Sequence, residues 1–205
     1  MKKILIDTNS INGRRSALIE GDRLIDFDLE FEGNNFQKGS IHKGKITKIE
    51  GSLEAIFVEM GSSRHGFLPF KELSAEYFDP SKMGEDRFKI SEGDDIVVQI
   101  QKEERVNKGA ALSTYISLAS RYIVLMTNHP NGGGISRRIH GEERDKIKSH
   151  IEALNVPENM SLIIRTAGID KQIEELRWDL EYLKKLWVEV ESAIKGSKAT
   201  QLIYA

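Results

Sequence analysis

The sequence predicts an α+β fold, and three observations carry the prediction. Residues 38–119 hold short apolar runs broken by glycine, the pattern of consecutive strands. A change of composition at Gly33-Asn34-Asn35 sets an alternating segment apart in front of them. After residue 120 the apolar spacing lengthens from two to three or four, the period of a helix.

In order, residues 2–7 and 15–20 read as strands, and Gly21-Asp22 as the turn to a third strand over 23–30. There Leu24, Asp26, Asp28 and Glu30 alternate with Ile25, Phe27 and Leu29, so an antiparallel meander with one apolar face is expected. Strands follow near 40–50, 53–60 and 64–69, then at 95–101 and 110–118. Five strands with glycine bends fit a small OB-type barrel. The connection over 75–94 is polar, contains Pro80, Gly84 and Gly93, and has the length of functional or mobile loops. Beyond it, 121–126 reads as a strand and 128–134 as a glycine loop. Ile147, Ile151 and Leu154 mark a helix over 142–154, which Pro157 ends. Residues 161–165 form an apolar strand closed by the turn Thr166-Ala167-Gly168. Ile173, Leu176, Leu180, Leu183, Trp187, Val190 and Ile194 then mark a long amphipathic helix over about 170–195, so this last part is α/β.

Charged residues make up 30% of the 205 and hydrophobic residues 39%, a globular profile, neither disordered nor fibrous. No apolar run approaches the roughly 18 residues of a transmembrane helix. The triplet Ile4-Leu5-Ile6 is too short for a signal-peptide core and reads as a buried first strand, with the cytoplasm as the default location. The absence of cysteine excludes disulfides and thiolate metal sites. A formal net charge of −2 limits the general attraction to phosphate, but basic residues gather in 38–48, at Arg64, from Lys102 to Lys108 and at Arg137-Arg138. A local basic surface is expected.

Phe57 and Phe67 lie on neighbouring predicted strands. Core packing is the ordinary reading of such residues, but Ile56, Val58 and Leu68 are available for the core beside them. The rings are thus free to occupy the other face and stack on bases. Lys43, Lys45, Lys48 and Arg64 rim the same strands, and Lys102, Arg105 and Lys108 continue the rim; taken singly, each also reads as a solvated surface residue. Lys108 sits in the turn Asn107-Lys108-Gly109, from which a lysine reaches a phosphate. Gly132-Gly133-Gly134 before Arg137-Arg138 is a flexible turn and lacks the Lys-Ser/Thr of a P-loop. Arg165-Thr166 ends an apolar strand with an arginine fork and a hydroxyl, a pair suited to a terminal phosphate, though a salt-bridged arginine is the commoner case. The five histidines show no metal-ligand or acid–base spacing. Asp26 and Asp28 share a strand face without a third ligand for Mg²⁺, and no nucleophile motif appears. No hydrolytic centre is expected within these residues.

Taken as a set, the runs Lys43-Gly44-Lys45-Ile46-Thr47, Ser52-Leu53-Glu54-Ala55, Arg64-His65-Gly66-Phe67-Leu68-Pro69, Lys102-Glu103-Glu104-Arg105, Asn107-Lys108-Gly109-Ala110-Ala111-Leu112, Gly133-Gly134-Ile135-Ser136-Arg137-Arg138 and Arg165-Thr166-Ala167-Gly168 resemble the N-terminal part of the bacterial ribonuclease E/G family. The resemblance runs from residue 1 to about 204 and is nearest the family's ribonuclease E branch. It implies four segments: the first part of a structural RNase H-like subdomain over 1–36, an S1-type OB domain inserted at 37–119, a small α/β 5′-sensor subdomain over 120–196, and the start of a return to the RNase H-like part over 197–205. It implies that Phe57, Phe67 and Lys108 grip single-stranded RNA, with Lys43, Lys45, Arg64 and Lys102 around them. Arg165 and Thr166 match the pair that binds a 5′-monophosphate, Val124 the residue beneath the terminal base, and Arg137 and Arg138 a basic pair nearby. Ser120 stands where the family usually has a glycine that helps to hold the phosphate.

The resemblance also implies Mg²⁺-assisted cleavage of RNA, in RNA processing and mRNA decay, by a downstream DNase I-like domain with an aspartate pair. A zinc link at a Cys-x-x-Cys beyond it joins subunits. Both would follow residue 205. The chain is therefore expected to bind RNA with no cofactor of its own, to be inactive alone, and to self-associate only through the rest of a longer protein. The alternatives are a stand-alone S1-type RNA-binding protein, against which an unfinished meander with an open apolar face argues, and a scaffolding module whose phenylalanines are core.

Overall fold

The structure is a computed structural model that describes residues 2–7, 14–30, 36–82, 87–105, 107–130, 132–135 and 141–205. The chain divides into two compact units, Met1–Asn35 and Phe36–Ala205.

In the first unit, β1 (Lys2–Asp7), β2 (Arg14–Glu20) and β3 (Arg23–Glu30) pair antiparallel in that order. The register differs from the expected one-sided pattern. Leu5, Ala17 and Phe27 stand in one cross-strand row, but Ile4 and Leu18 stand in the next, on the opposite face, opposite Asp26. Apolar residues thus point both ways. The first strand is exposed along its whole length, with Ile4 69% and Ile6 68% accessible, not buried as its apolar triplet suggested. Among the described residues of this unit, no second layer covers either face of the three-stranded sheet.

The second unit begins with a barrel. β4 (Ile41–Glu50), β5 (Ala55–Glu59), β6 (Gly66–Pro69), β8 (Ala111–Ser113) and β7 (Asp95–Lys102) are neighbours in that order, and β4 also pairs with β7, which closes the ring. The closed five-stranded form is the OB-like architecture of an S1-type domain. Alternation supplies its core: Ile46, Ile56, Val58, Leu68, Ile96, Val98, Ile100 and Leu112 all point inward and are buried. β13 (Gln201–Tyr204) adds to the first half of β4.

Two expectations need correction here. The strand predicted over 110–118 is two strands, with β8 closing the barrel and β9 (Ser117–Ala119) joining a different sheet. The Asn128 side chain takes up the backbone between them, accepting from Ile116 N and donating to the Thr114 carbonyl, so the ladder to β7 stops there. The 75–94 connection is not merely polar. Tyr77, Phe78, Phe88 and Ile90 pack against the barrel core, and Phe78 pairs with Phe88 in an isolated bridge. The Arg87 guanidinium lies 5.1–5.9 Å from the ring centres of Phe70, Phe78 and Phe88. Residues 83–86 of the connection lie outside the described residues.

The second sheet runs β11 (Gly134–Ile135), β12 (Ser161–Ile164), β10 (Ile123–Met126), β9, with only β11–β12 parallel. Helices α1 (Gly141–Ala153) and α2 (Ile173–Gly196) cover one of its faces. Ile147 of α1 and Leu176, Leu180 and Leu183 of α2 form one buried cluster with Ile123, Leu125, Leu162 and Ile164. At the start of α2, Gln172 and Glu175 form a reciprocal capping box.

Candidate nucleic-acid interface

Five barrel strands place one residue each in a continuous cross-strand row. Lys48 is opposite Phe57, Phe57 opposite Phe67, Phe67 opposite Ala111, and Ala111 opposite Lys102. Residues paired in this way share a face of the sheet. Their neighbours Ile56, Val58 and Leu68 are fully buried, so the row faces outward. Phe57 and Phe67 are half-buried there, with ring centres 5.9 Å apart at 72°, an edge-to-face pair that leaves aromatic surface available to a ligand.

The rim is only partly the one expected. Lys45 is exposed on β4, opposite Glu59 and Asp95 in the two adjoining strands. Lys102 is exposed at the end of the row. Lys108 is exposed in the turn bridged by Arg105 and Lys108. Gly109 draws that turn toward the start of β6, because any side chain there would collide with the His65 carbonyl. Arg64 is exposed, with Nε 3.7 Å from the Glu104 carboxylate. Lys48 is paired with Glu50 at 2.6 Å. The Lys48 bond, with a second from Ser52, holds the Glu50 carboxyl down to about 2.

Lys43 does not belong to this rim. Its Nζ donates to the carbonyls of Ser197 (2.8 Å) and Ile194 (3.4 Å) at the end of α2 and lies 3.8 Å from Asp95. The C-terminal carbonyls of a helix attract a cation, and a lysine on the covered half of β4 meets them before it meets solvent. His65 was missed. Its Nδ1 lies 3.1 Å from the Thr47 hydroxyl, which also donates to the Phe57 carbonyl, so the exposed imidazole stands beside the ring pair. The sequence signal was its place next to Gly66-Phe67, but a lone histidine has no spacing to read.

At the other end of the unit, Val124 and Ile163 are opposite one another on the sheet face away from the helices. Arg165 follows two residues after Ile163 and is exposed, as is Thr166, which opens the turn Thr166–Gly168. The Arg165 guanidinium donates from Nη1 to the Ser120 carbonyl, and its backbone N–H donates to Tyr122 (2.8 Å). Ser120, Val124, Arg165 and Thr166 are therefore brought to one end of the sheet.

Asp179, on α2, organises this corner. It accepts from the Ser120 hydroxyl and from the backbone N–H groups of Tyr122 (2.9 Å) and Ile123 (3.1 Å). Sequence reasoning passed over it, although an acid between Leu176 and Leu180 on an apolar helix face was a signal. Lys171 and Arg121 lie 5.2 and 5.3 Å from the Tyr122 ring centre, adding cations nearby. Lys171 is bonded to Glu175 at 3.1 Å, which raises the lysine's pKa and lowers the glutamate's. Arg137 and Arg138 lie outside the described residues.

No group of three or more metal-ligating side chains occurs among the described residues. No described helix is long and apolar enough to cross a membrane.

Comparison with known proteins follows the same division. Residues 35–115 match the S1 RNA binding domain, and residues 117–205 match the ribonuclease E/G family. Ribonuclease E of Escherichia coli K12 is 49% identical over 208 residues, covering 100% of this chain and 20% of that protein. Ribonuclease E of Haemophilus influenzae is 48% identical, with 100% and 22% covered. Ribonuclease G of H. influenzae is 35% identical over 187 residues, with 87% and 38% covered. The chain spans about a fifth of the length of these ribonuclease E relatives. With an S1-type barrel bearing an outward ring pair, and a second sheet matched in its own right, the chain belongs to the ribonuclease E/G family.

Proposed function

We propose that this chain is the RNA-recognition portion of a ribonuclease E/G-type endoribonuclease acting in RNA processing and mRNA decay in the cytoplasm. The observation that carries the reading is the Phe57–Phe67 pair turned outward on an S1-type barrel, in a row that ends in Lys102. Bases of a single strand stack on the rings, and Lys45, Lys102, Lys108 and Arg64 take the phosphates around them. A duplex presents no free base faces and is a poorer ligand. At the sheet end, the Arg165 fork and the Thr166 hydroxyl take the 5′-monophosphate, and Val124 lies beneath the terminal base. A 5′-hydroxyl offers no anion to the same fork, so the monophosphorylated end is preferred. Bond cleavage, with Mg²⁺ at an aspartate pair and subunits joined through a zinc link, is assigned to other parts of the whole protein.

Titration of the 205-residue chain with single-stranded RNA bearing either end tests both grips. The 5′-monophosphate form is expected to bind more tightly, and Arg165→Ala to remove the difference. Phe57→Ala and Phe67→Ala are each expected to weaken both forms by about fivefold or more, with the circular dichroism unchanged. Equal binding of the two ends by the unaltered chain refutes end recognition. Unchanged binding by both phenylalanine variants refutes the barrel face.

A further inference from the structure

The barrel and the second sheet meet along a cleft of about 320 Å³ lined by Lys71, Gln101, Ser113, Tyr115, Met126 and His129, among others. Tyr115 and His129 sit edge to face there, ring centres 4.4 Å apart at 79°, and both are half-buried. The His129 ring is supported from behind. Any side chain on Gly132 would collide with its Nδ1 edge, so glycine at that position leaves the imidazole its room.

Two strands carry the ends of this cleft toward the two grips. Met126 is two residues along β10 from Val124 and on the same face, and Ser113 is two residues along β8 from Ala111, which is opposite Phe67. Each step is about 7 Å at the rise of a strand. An aromatic pair with a lysine and a side-chain amide beside it has the chemistry of a base pocket: a π face for stacking, an amide for the base edge and an ammonium for the adjoining phosphate. Glu72 also lines the cleft and repels phosphate, which leaves the Lys71 side for the backbone.

We propose that this cleft is a third RNA subsite, holding one nucleobase of a single strand on the Tyr115–His129 pair between the Phe57–Phe67 face and the Arg165 end. The proposal rests on the RNA-recognition reading above.

The test uses two 5′-monophosphorylated RNAs and the 205-residue chain: a dinucleotide, which reaches only the Arg165 end, and an oligouridine of about twelve nucleotides, within the span such surfaces cover. His129→Ala and Gly132→Ala are each expected to weaken the longer RNA about fivefold or more and to leave the dinucleotide unchanged. If His129→Ala and Gly132→Ala bind the longer RNA normally while Phe57→Ala does not, the subsite is wrong and the RNA reading stands. An equal loss on both RNAs also overturns the subsite, because the dinucleotide does not extend into the cleft. If the unaltered chain binds neither RNA, both fall.

Discussion

Asp179 shows how one side chain decides the geometry of the corner that holds Arg165. Its carboxylate satisfies two backbone donors and the Ser120 hydroxyl, and the Ser120 carbonyl in turn receives Arg165. Asp179→Ala leaves these half-buried donors without their acceptor, a loss of about 1–3 kcal/mol in unfolding free energy, read by urea denaturation. The turn over 120–123 then no longer holds Arg165 in place. The preference for a 5′-monophosphate should shrink toward unity, while affinity for 5′-hydroxyl RNA stays within about twofold; an unchanged preference would show that Asp179 does not position Arg165. Asp179→Asn keeps one acceptor oxygen and should be milder on both measures. The Ser120 hydroxyl ties this turn to α2, an interaction that a glycine at the position cannot make.

The elements carry two further predictions. Lys43 ties β4 to the end of α2 through two carbonyls, so Lys43→Met should lower stability by about 1–2 kcal/mol and leave single-stranded RNA affinity unchanged. A loss of RNA affinity without a loss of stability would return Lys43 to the interface. The 75–94 connection docks partly through Tyr77, whose phenol burial, followed by the Glu76 charge, pushes from 10.0 up to about 12. In the unfolded chain the phenol loses its proton near the ordinary value, while the folded chain keeps it. The contribution is thus complete below pH 10.0 and is lost as pH rises through about 12. Tyr77→Phe should flatten the stability profile between those pH values, measured by thermal melts. An equally steep profile in the variant would assign the alkaline loss to another group. These residues escaped sequence reading because Tyr77, Phe78, Phe88 and Ile90 are scattered among polar neighbours, and the Phe88-Lys89-Ile90 alternation is too short to mark a strand. The barrel strands and both helices were legible, since each repeats an apolar position at one period. The 114–116 break was not, because it depends on Asn128, which folds back from a later strand.

At the scale of the molecule, the net charge of −2 and the positions of the basic groups bound the electrostatics of binding. Lys45, Lys102, Lys108 and Arg64 are among the exposed cations around the ring row; Lys48 is paired with Glu50, and Arg64 is already close to Glu104. Roughly three to four phosphate contacts predict a slope of log affinity against log salt of about −2 to −3 for single strands. Titrations from about 50 to 200 mM NaCl check this; a slope beyond about −5 would require a basic surface these residues do not form. The same counting places most of the affinity in ring stacking, so salt should weaken binding less than removal of both phenylalanines.

The sequence by itself determined the strands β1 to β7, β10 and β12, both helices, the family, and the identity of Phe57, Phe67, Arg165 and Thr166 as candidates. Those conclusions rest on local periodicity and contiguous motifs, which a linear chain displays directly. Only the tertiary structure decided which lysine faces solvent beside the rings and which faces a helix end, that Ser120 and Arg165 meet under Asp179, and that Tyr115 and His129 form the wall of a cleft. Each of these depends on partners far apart along the chain, Lys43 and Ser197 or Ser120 and Asp179. Their approach is set by how a closed barrel and a helix-covered sheet pack, and no pattern within either segment records it.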